Sequence, residues 1–500
     1  MTARPAVVLA PLRLEARAVA SAAPELEVHR TGLGADAAAR AAVNLAARCA
    51  GAPAVAVVGF GGGVDPSLAP GDVVVASEVR GPLGCRPVPG AAVLAGALRR
   101  AGVPTRCGPL LSVDHLVGAG EAQQLSGDGT LAVDMESRWL VEAAGQRPLA
   151  VIRAVVDTPS RPLGSPATVT GGVLAYRALR RAAPVLAQWA AAVRPRRVML
   201  AAPRSFCAGV ERAVEIVERA LDRFGAPVYV RRQIVHNRHV VERLEARGAI
   251  FVDELDDVPA GATVVFSAHG VAPAVRERAA GRGLRVIDAT CPLVAKVHAE
   301  ARRFARAGYS LVLIGHAGHD ETEGTLGEVP GIALVEDEAG VDALDVVDPD
   351  RVAYLTQTTL ALDEVRGVVA ALRDRFPGLA GQADEDVCYA TQNRQDAVRA
   401  LAQDCDAMLV AGSANSSNSN RLVEVAERAG CPARLVDDES DLDLAWLAGA
   451  GTVGITAGAS TPNAVVDRLV DALRALGPID ITERRVTDET LRFALPKELR

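Results

Sequence analysis

Three of the eight cysteines, Cys207, Cys291 and Cys388, each fall where a strand-like run gives way to a small, polar loop that opens a helix, at spacings of 84 and 97 residues. A thiol at a helix amino-terminus is biased toward thiolate by the macrodipole, and Pro292, directly after Cys291, suits a first helical turn. Three thiolates drawn from three such loops suit an iron-sulfur cluster. On a four-iron cluster they leave one iron open, a Lewis acid for a substrate oxygen. Cys405, ending a helical stretch, and Cys431, in a Gly-Cys-Pro turn, read as structural thiols. No CxxC occurs, and eight cysteines dispersed over 500 residues make no disulfide framework.

Six of the eight histidines lie between His236 and His319. The same kind of loop offers His236, His269, His319, Thr358, Ser416, Ser417, Asn418 and Ser460. These neutral or weakly basic donors, with the backbone N–H groups of helix starts, suit an anion such as a diphosphate. Lysine occurs only at Lys296 and Lys497, neither in a GxxxxGK[ST] loop, which excludes a Walker-type phosphate site. Any one Ser or Asn here also reads as a helix cap, but Ser416, Ser417 and Asn418 exceed one cap position.

The elements that must position these residues alternate between strand and helix along the whole chain, the pattern of an α/β protein. Before residue 193 the strand-like runs are AVVLA (6-10), AVAVVGF (54-60), GDVVVAS (71-77) and PLAVIRAVVD (148-157), separated by Ala-rich helical stretches. Residues 173-193 read as a terminal helix interrupted by proline, and 194-197 as an Arg/Pro linker before a strand from Val198 to Ala201. Beyond it seven strand–loop–helix units follow, whose loops should converge at the carboxyl ends of the strands. The expected domains are therefore 1-193 and 198-500, joined by 194-197. Charge divides the same way, at net +7 for 1-197 and −14 for 198-500.

Composition excludes other classes. With 49% apolar and 23% charged residues the chain is neither disordered nor fibrous. No apolar run approaches the roughly 20 residues of a membrane helix, and the first twenty residues meet Glu15 and three arginines before a secretory segment forms. A cytoplasmic address is expected. No basic stripe interleaved with aromatics suggests nucleic acid.

From about Val198 to the terminal PKELR, the motifs PRSFCAGVERA, VYVRRQIVHNRHVV, SAHGV, DATCPLVAKVH, GHAGHDETEGT, TQTTL, CYATQNRQ, GSANSSNSNRL and TAGAS resemble, in order, those of LytB-type 4-hydroxy-3-methylbut-2-enyl diphosphate reductases. The resemblance implies a three-lobed α/β fold around a 4Fe-4S cluster held by Cys207, Cys291 and Cys388. It also implies that His236, His269, His319, Ser416, Ser417, Asn418 and Ser460 bind diphosphate, that Thr358 lies near the substrate hydroxyl, and that Glu321 delivers a proton. The implied reaction is a two-electron reductive dehydroxylation to isopentenyl and dimethylallyl diphosphates, with electrons from ferredoxin or flavodoxin. One departure is Ser205, where the family usually has Gly. From the residues alone, a non-redox hydro-lyase and a redox-silent cluster sensor are rival classes, and electron consumption separates the three.

Residues 1-193 resemble the purine nucleoside phosphorylase and methylthioadenosine/adenosylhomocysteine nucleosidase superfamily through APLRLEARAV, TGLGADAAARAA, VGFGGGVDPSLAPGDVVV, LAVDMES and RAVVDTP. That resemblance assigns Glu15 to water activation, Glu136 to the ribose hydroxyls and Asp157 to purine protonation. The domain is short between Asp72 and Asp134, so residues that would stack on a purine are not mapped. A non-catalytic scaffold or dimerisation module is the alternative, and an oligomer formed through this domain is compatible with either reading.

Overall fold

In the computed structural model the described residues are 5–164, 167–360, 362–381 and 388–500. They form two compact units. One comprises Met1–Val198 with Asp438–Val453 and Asp467–Ile481; the other comprises Met199–Asp437, Gly454–Val466 and Thr482–Arg500.

The first unit is built on eight strands: β1 (Val7–Ala10), β2 (Glu27–Arg30), β3 (Val55–Gly63), β4 (Val73–Arg80), β5 (Arg86–Pro87), β6 (Thr105–Ser112), β7 (Ala132–Asp134) and β8 (Leu149–Asp157). Their order is β2-β1-β3-β7-β6-β4-β5, and β8 pairs with both β3 and β4, so β3, β7, β6, β4 and β8 close into a ring. The continuous apolar runs of β3 and β8 are explained by burial on both faces. Small side chains let helices approach closely: a Cβ on Gly96 would lie 1.9 Å from the Ser440 carbonyl oxygen, and Arg100 donates to the Leu442 carbonyl at 2.7 Å.

The last helix before residue 196 differs from the expectation. It runs unbroken from Ala167 to Ala192, through Pro184. Proline removes one helical hydrogen bond, but Ala182, Ala183, Val185 and Leu186 are all buried around it, and that packing outweighs the local cost. The next strand begins at Arg196 rather than Val198, with the buried Arg196 guanidinium donating to the carbonyls of Ala192 and Leu447.

Three further sheets share one design. Two are four-stranded and parallel, ordered Ala249–Val252, Val228–Arg231, Thr263–Phe266, Arg285–Asp288, and Ala333–Val335, Ser310–Ile314, Val352–Thr356, Ala380–Gly381. In chain order this is 2-1-3-4. The third runs Ala433–Val436, Ala407–Ala411, Thr452–Ala457, Arg196–Ala202, Ile479–Arg485. It repeats the pattern, except that the fourth position is filled by the strand made first. The strand order reverses between strands 1 and 3 of each sheet, which is where a parallel sheet opens a crevice at its carboxyl edge. Each sheet has its own apolar packing, for example Val228, Val230, Ile287 and Leu244 in the first. The strand expected directly before Cys388 falls on 382–387, outside the described residues. No helix among the described residues is long and apolar enough to cross a membrane.

Candidate active site

The repeated sheet order sorts the candidate residues. The loops after the first strands, and the first turns of the helices they open, carry His236, then His319 and Glu321, then Ser416, Ser417 and Asn418. Loops after the third strands carry His269, Thr358 and Ser460, and the segments after the fourth carry Cys291, Cys388 and Cys207. Nine loops from three sheets thus deliver all these residues to the lining of one cavity.

Each cysteine is the N-cap of a helix: Cys207 of Ala208–Phe224, Cys291 of Pro292–Arg306 and Cys388 of Tyr389–Ala402. None of the three side chains caps its own helix, so the sulfurs are free to face the cavity. Close approach of two of them depends on Gly209, where a Cβ would sit 2.7 Å from the Cys291 sulfur and 3.9 Å from that of Cys207. Burial, then the neighbouring Cys207, pushes the Cys291 thiol up to about 12, and burial followed by Cys207 pushes Cys388 up to about 11. Sulfurs so crowded and dehydrated ionise only against a cation, so this donor set fits a soft, positively charged metal centre. Cys405 and Cys431 lie elsewhere, with Cys431 in the apolar core beside the third sheet and 3.5 Å from the Cys405 carbonyl oxygen.

The three histidines cluster. The His236 and His269 rings stack at 4.2 Å, and His319 stands edge-on to them at 5.4 and 5.7 Å. His319 Nδ1 accepts from the Glu321 backbone N–H, and His236 Nδ1 donates to Gln233 Oε1 at 3.3 Å. Burial lowers all three imidazoles, His319 to about 4, and in His269 and His319 mutual repulsion adds to it. Asp320, which could join His236 and His269 around a metal ion, is already engaged by Arg232. Ser416 caps the helix Ser417–Arg428 by accepting from Ser419 N, and Ser460 donates to the His236 carbonyl at 3.1 Å. Asn418 is 5% exposed, lines the cavity, and neither atom of its amide has a partner. A buried amide left unpaired costs free energy, which a bound polar ligand would recover.

Glu321 and Thr358 form a buried pair: the Thr358 N–H donates to Glu321 Oε1 at 2.7 Å and its hydroxyl to Oε2 at 3.1 Å. Burial raises the Glu321 carboxyl to about 7 against the pull of those two bonds. Sequence reasoning missed Gly209 and Thr359, whose hydroxyl donates to Ser417 at 3.2 Å. Both sit inside quoted motifs, CAGV and TQTT. Val210, Val235, Leu293 and Val294 supply the apolar part of the wall.

A family model described as LytB protein matches residues 198–474, more than half of the chain. The chain belongs to the LytB family. It is 57% identical over 309 residues to the 4-hydroxy-3-methylbut-2-enyl diphosphate reductase of Xanthomonas axonopodis pv. citri, covering 61% of this chain and 98% of that protein. Identity is again 57%, over 308 residues, with reductase 1 of Mycobacterium tuberculosis, at 61% and 94% coverage. The solved Plasmodium falciparum E-1-hydroxy-2-methyl-but-2-enyl-4-diphosphate reductase superposes with a TM-score of 0.59 at 37% identity, covering 61% of this chain and 97% of that one. The LytB part is accordingly an oxidoreductase, and its relatives imply an iron-sulfur cofactor. Ahead of it, residues 25–188 match the Phosphorylase superfamily.

In that amino-terminal part Glu15 and Glu136 gather around Arg153, which is fully buried. Glu15 accepts from the N–H groups of Phe60 and Leu12, both at 2.6 Å, and Glu136 accepts from Gly34 N at 2.9 Å. Arg153 donates to Asp134 at 2.5 Å and lies 3.9 Å from Glu136. Burial raises Glu15 and Glu136 despite Arg153, and burial raises Asp157, four residues further along β8. Asp134 and Arg153 were missed in LAVDMES and RAVVDTP, where a charged residue inside an apolar strand was the available signal.

Proposed function

We propose that the LytB part reduces 4-hydroxy-3-methylbut-2-enyl diphosphate to isopentenyl and dimethylallyl diphosphates, with Cys207, Cys291 and Cys388 holding a 4Fe-4S cluster. The observation that carries this is the convergence on one cavity of three thiols at helix N-cap positions, an unpaired buried amide and a protonatable Glu321–Thr358 pair. The cluster, when bound, would relay two electrons one at a time from the reduced donor and offer one open iron. The protein residues do the rest. His236, His269, His319, Ser416, Ser417, Asn418 and Ser460 bind the diphosphate by neutral donors and helix-start N–H groups, and the anion raises the imidazoles it touches. Val210, Val235, Leu293 and Val294 cover the hydrocarbon and exclude water. Glu321 carries a proton near neutral pH and passes it through the Thr358 hydroxyl to the departing oxygen, which leaves as water, and the second proton that the two-electron reduction consumes, drawn from solvent, goes to the allylic carbon.

A soluble donor such as ferredoxin or flavodoxin and a cytoplasmic address belong to the same reading. The test is anaerobic purification with iron and sulfide assay, followed by turnover of the allylic diphosphate with a reduced low-potential donor. A chain without iron, or one that dehydrates the substrate without consuming electrons, defeats it.

For the amino-terminal part we propose release of a purine base from an adenosine-type nucleoside. The raised carboxyls of Glu15 and Glu136, set around one buried arginine, and the raised carboxyl of Asp157 support this reading. Asp157 protonates the base, Glu136 holds the ribose hydroxyls and Glu15 activates the nucleophile. The functional division proposed is 1-193 and 198-500 around 194-197. The full chain should release adenine with water or phosphate as acceptor, and Asp157→Asn should abolish release. A folded chain inactive on every adenosine derivative, a lipid-linked one included, indicates a scaffold.

A further inference from the structure

Arg394 lies in the helix that begins at Cys388, and it is fully buried. Its guanidinium has a complete set of acceptors. Nε and one terminal nitrogen donate to the Ser205 carbonyl at 3.0 and 2.7 Å, and that nitrogen also reaches the Phe206 carbonyl at 3.2 Å. The other terminal nitrogen donates to the Ala390 carbonyl at 2.8 Å, and Glu489 closes the fork from the far side at 2.9 and 3.2 Å. Glu489 is held in turn by Asn393 at 3.1 Å.

The acceptors are significant for where they lie. Ser205 and Phe206 immediately precede Cys207, and Ala390 follows Cys388 by two residues. One planar cation therefore ties together the backbones that carry two of the three thiols. Ser205 has a φ of 62°, the left-handed region that favours glycine. Its N–H donates to Ala457 O, and that of Cys207 to Ala459 O. The Cys207 loop is thus held from both sides, by the loop after the third strand of its own sheet and by Arg394.

We infer that Arg394, braced by Glu489, is a positioning residue that holds the Cys207 loop and the Cys388 helix in register for the cluster. This rests on the cluster reading above. A buried guanidinium with three carbonyl partners is not replaced by lysine, whose single ammonium cannot fork between Ser205 and Ala390. Removing it also strands the Glu489 carboxylate. The residues behind metal ligands typically carry 10- to 100-fold in metal affinity, which sets the expected effect.

The experiment uses the full chain, reconstituted anaerobically, as wild type, Arg394→Lys, Arg394→Gln and Glu489→Gln. Iron and sulfide per chain, the rate of cluster loss to an iron chelator, the paramagnetic resonance spectrum of the reduced cluster, and the thermal midpoint of cluster-free protein are measured. Both Arg394 variants should lose the cluster at least about tenfold faster than wild type, with a broadened spectrum. Cluster-free Arg394→Lys should melt close to wild type. Glu489→Gln, which spares the carbonyl contacts, should retain its cluster longer than either. An Arg394→Lys cluster as long-lived as wild type overturns the inference. So does cluster loss that merely follows a fall in the cluster-free melting point across the variants. Should Arg394→Gln fail to fold, Arg394→Lys decides. A wild-type chain without iron defeats the cluster reading, whereas a loaded wild type with an unaffected Arg394→Lys defeats only this inference.

Discussion

The two sites of this chain differ in which buried polar groups are engaged. In the LytB part the cavity is unfinished: the Asn418 amide has no hydrogen-bond partner, His269 Nδ1 is buried without one, and the Cys291 and Cys388 thiols are pushed away from ionisation. In the amino-terminal part the carboxylates are engaged: Arg153 pairs with Asp134 and lies near Glu136, and backbone N–H groups bond to Glu15 and Glu136, while Nε and Nη1 of Arg153 are buried without a hydrogen-bond partner. The difference teaches how to read each. A site that needs a cofactor and an anion carries buried donors that only those groups can satisfy. A site that works by proton transfer carries its carboxyls bonded within the fold and lifted toward neutrality.

The strongest way to break this contrast is through the thiols. Serine at Cys207, Cys291 or Cys388 should abolish iron content and reduction while leaving nucleoside chemistry intact; serine at Cys405 or Cys431 should leave iron unchanged. If either of the last two proves as necessary as the trio, the ligand assignment is wrong. Glu321→Gln comes next. Iron and diphosphate binding should persist while turnover falls by about 10²- to 10⁴-fold, the usual worth of a positioned acid. Near-normal turnover would remove Glu321 from the proton path.

Stability sharpens the same point. The folded carboxyl near 7 lies above its ordinary 4.5, so the stability it contributes is full below about pH 4.5 and lost as pH rises through 7. The glutamine variant should therefore gain over wild type at pH 8, by at most about 3 kcal/mol, and gain nothing at pH 4.5. Equal melting curves at both pH values would show the carboxylate is not destabilising. The smallest effect concerns the imidazoles. Because they are lowered when the cavity is empty and raised by an anion, diphosphate binding should take up a fraction of a proton near pH 6 and weaken as pH rises. Calorimetry in two buffers of different ionisation enthalpy measures that uptake, and a buffer-independent heat would contradict it.

Much of this was legible from the residues. The strands of both parts and the loops bearing the cysteines and histidines follow from apolar runs broken by small polar segments. What was not legible depends on partners far away in the chain. Arg394 reads as an ordinary helix arginine until Ser205, 189 residues earlier, is brought to it. Gly209 reads as a weak helix position until the Cys291 sulfur sits against it. Arg153 is similar, since its charge inside an apolar strand makes sense only with Asp134 beside it. Pro184 misled in the other direction, because a local rule was overridden by packing that the local sequence does not display.

The borrowed strand of the third sheet has a consequence for the timing of synthesis. Arg196–Ala202 leaves the ribosome roughly 250 residues before Thr452–Ala457, its neighbour in the sheet, which at about 5-20 residues per second is tens of seconds. The first two sheets are complete by Asp288 and Gly381. Until Ala457 and Ala459 emerge, the loop of Cys207 lacks the backbone bonds that fix it, while Cys291 and Cys388 already have completed sheets behind them. On the proposed ligand set, metal delivery is therefore a late event on a nearly finished chain, and an interrupted translation product ends with two thiols placed and the third still searching.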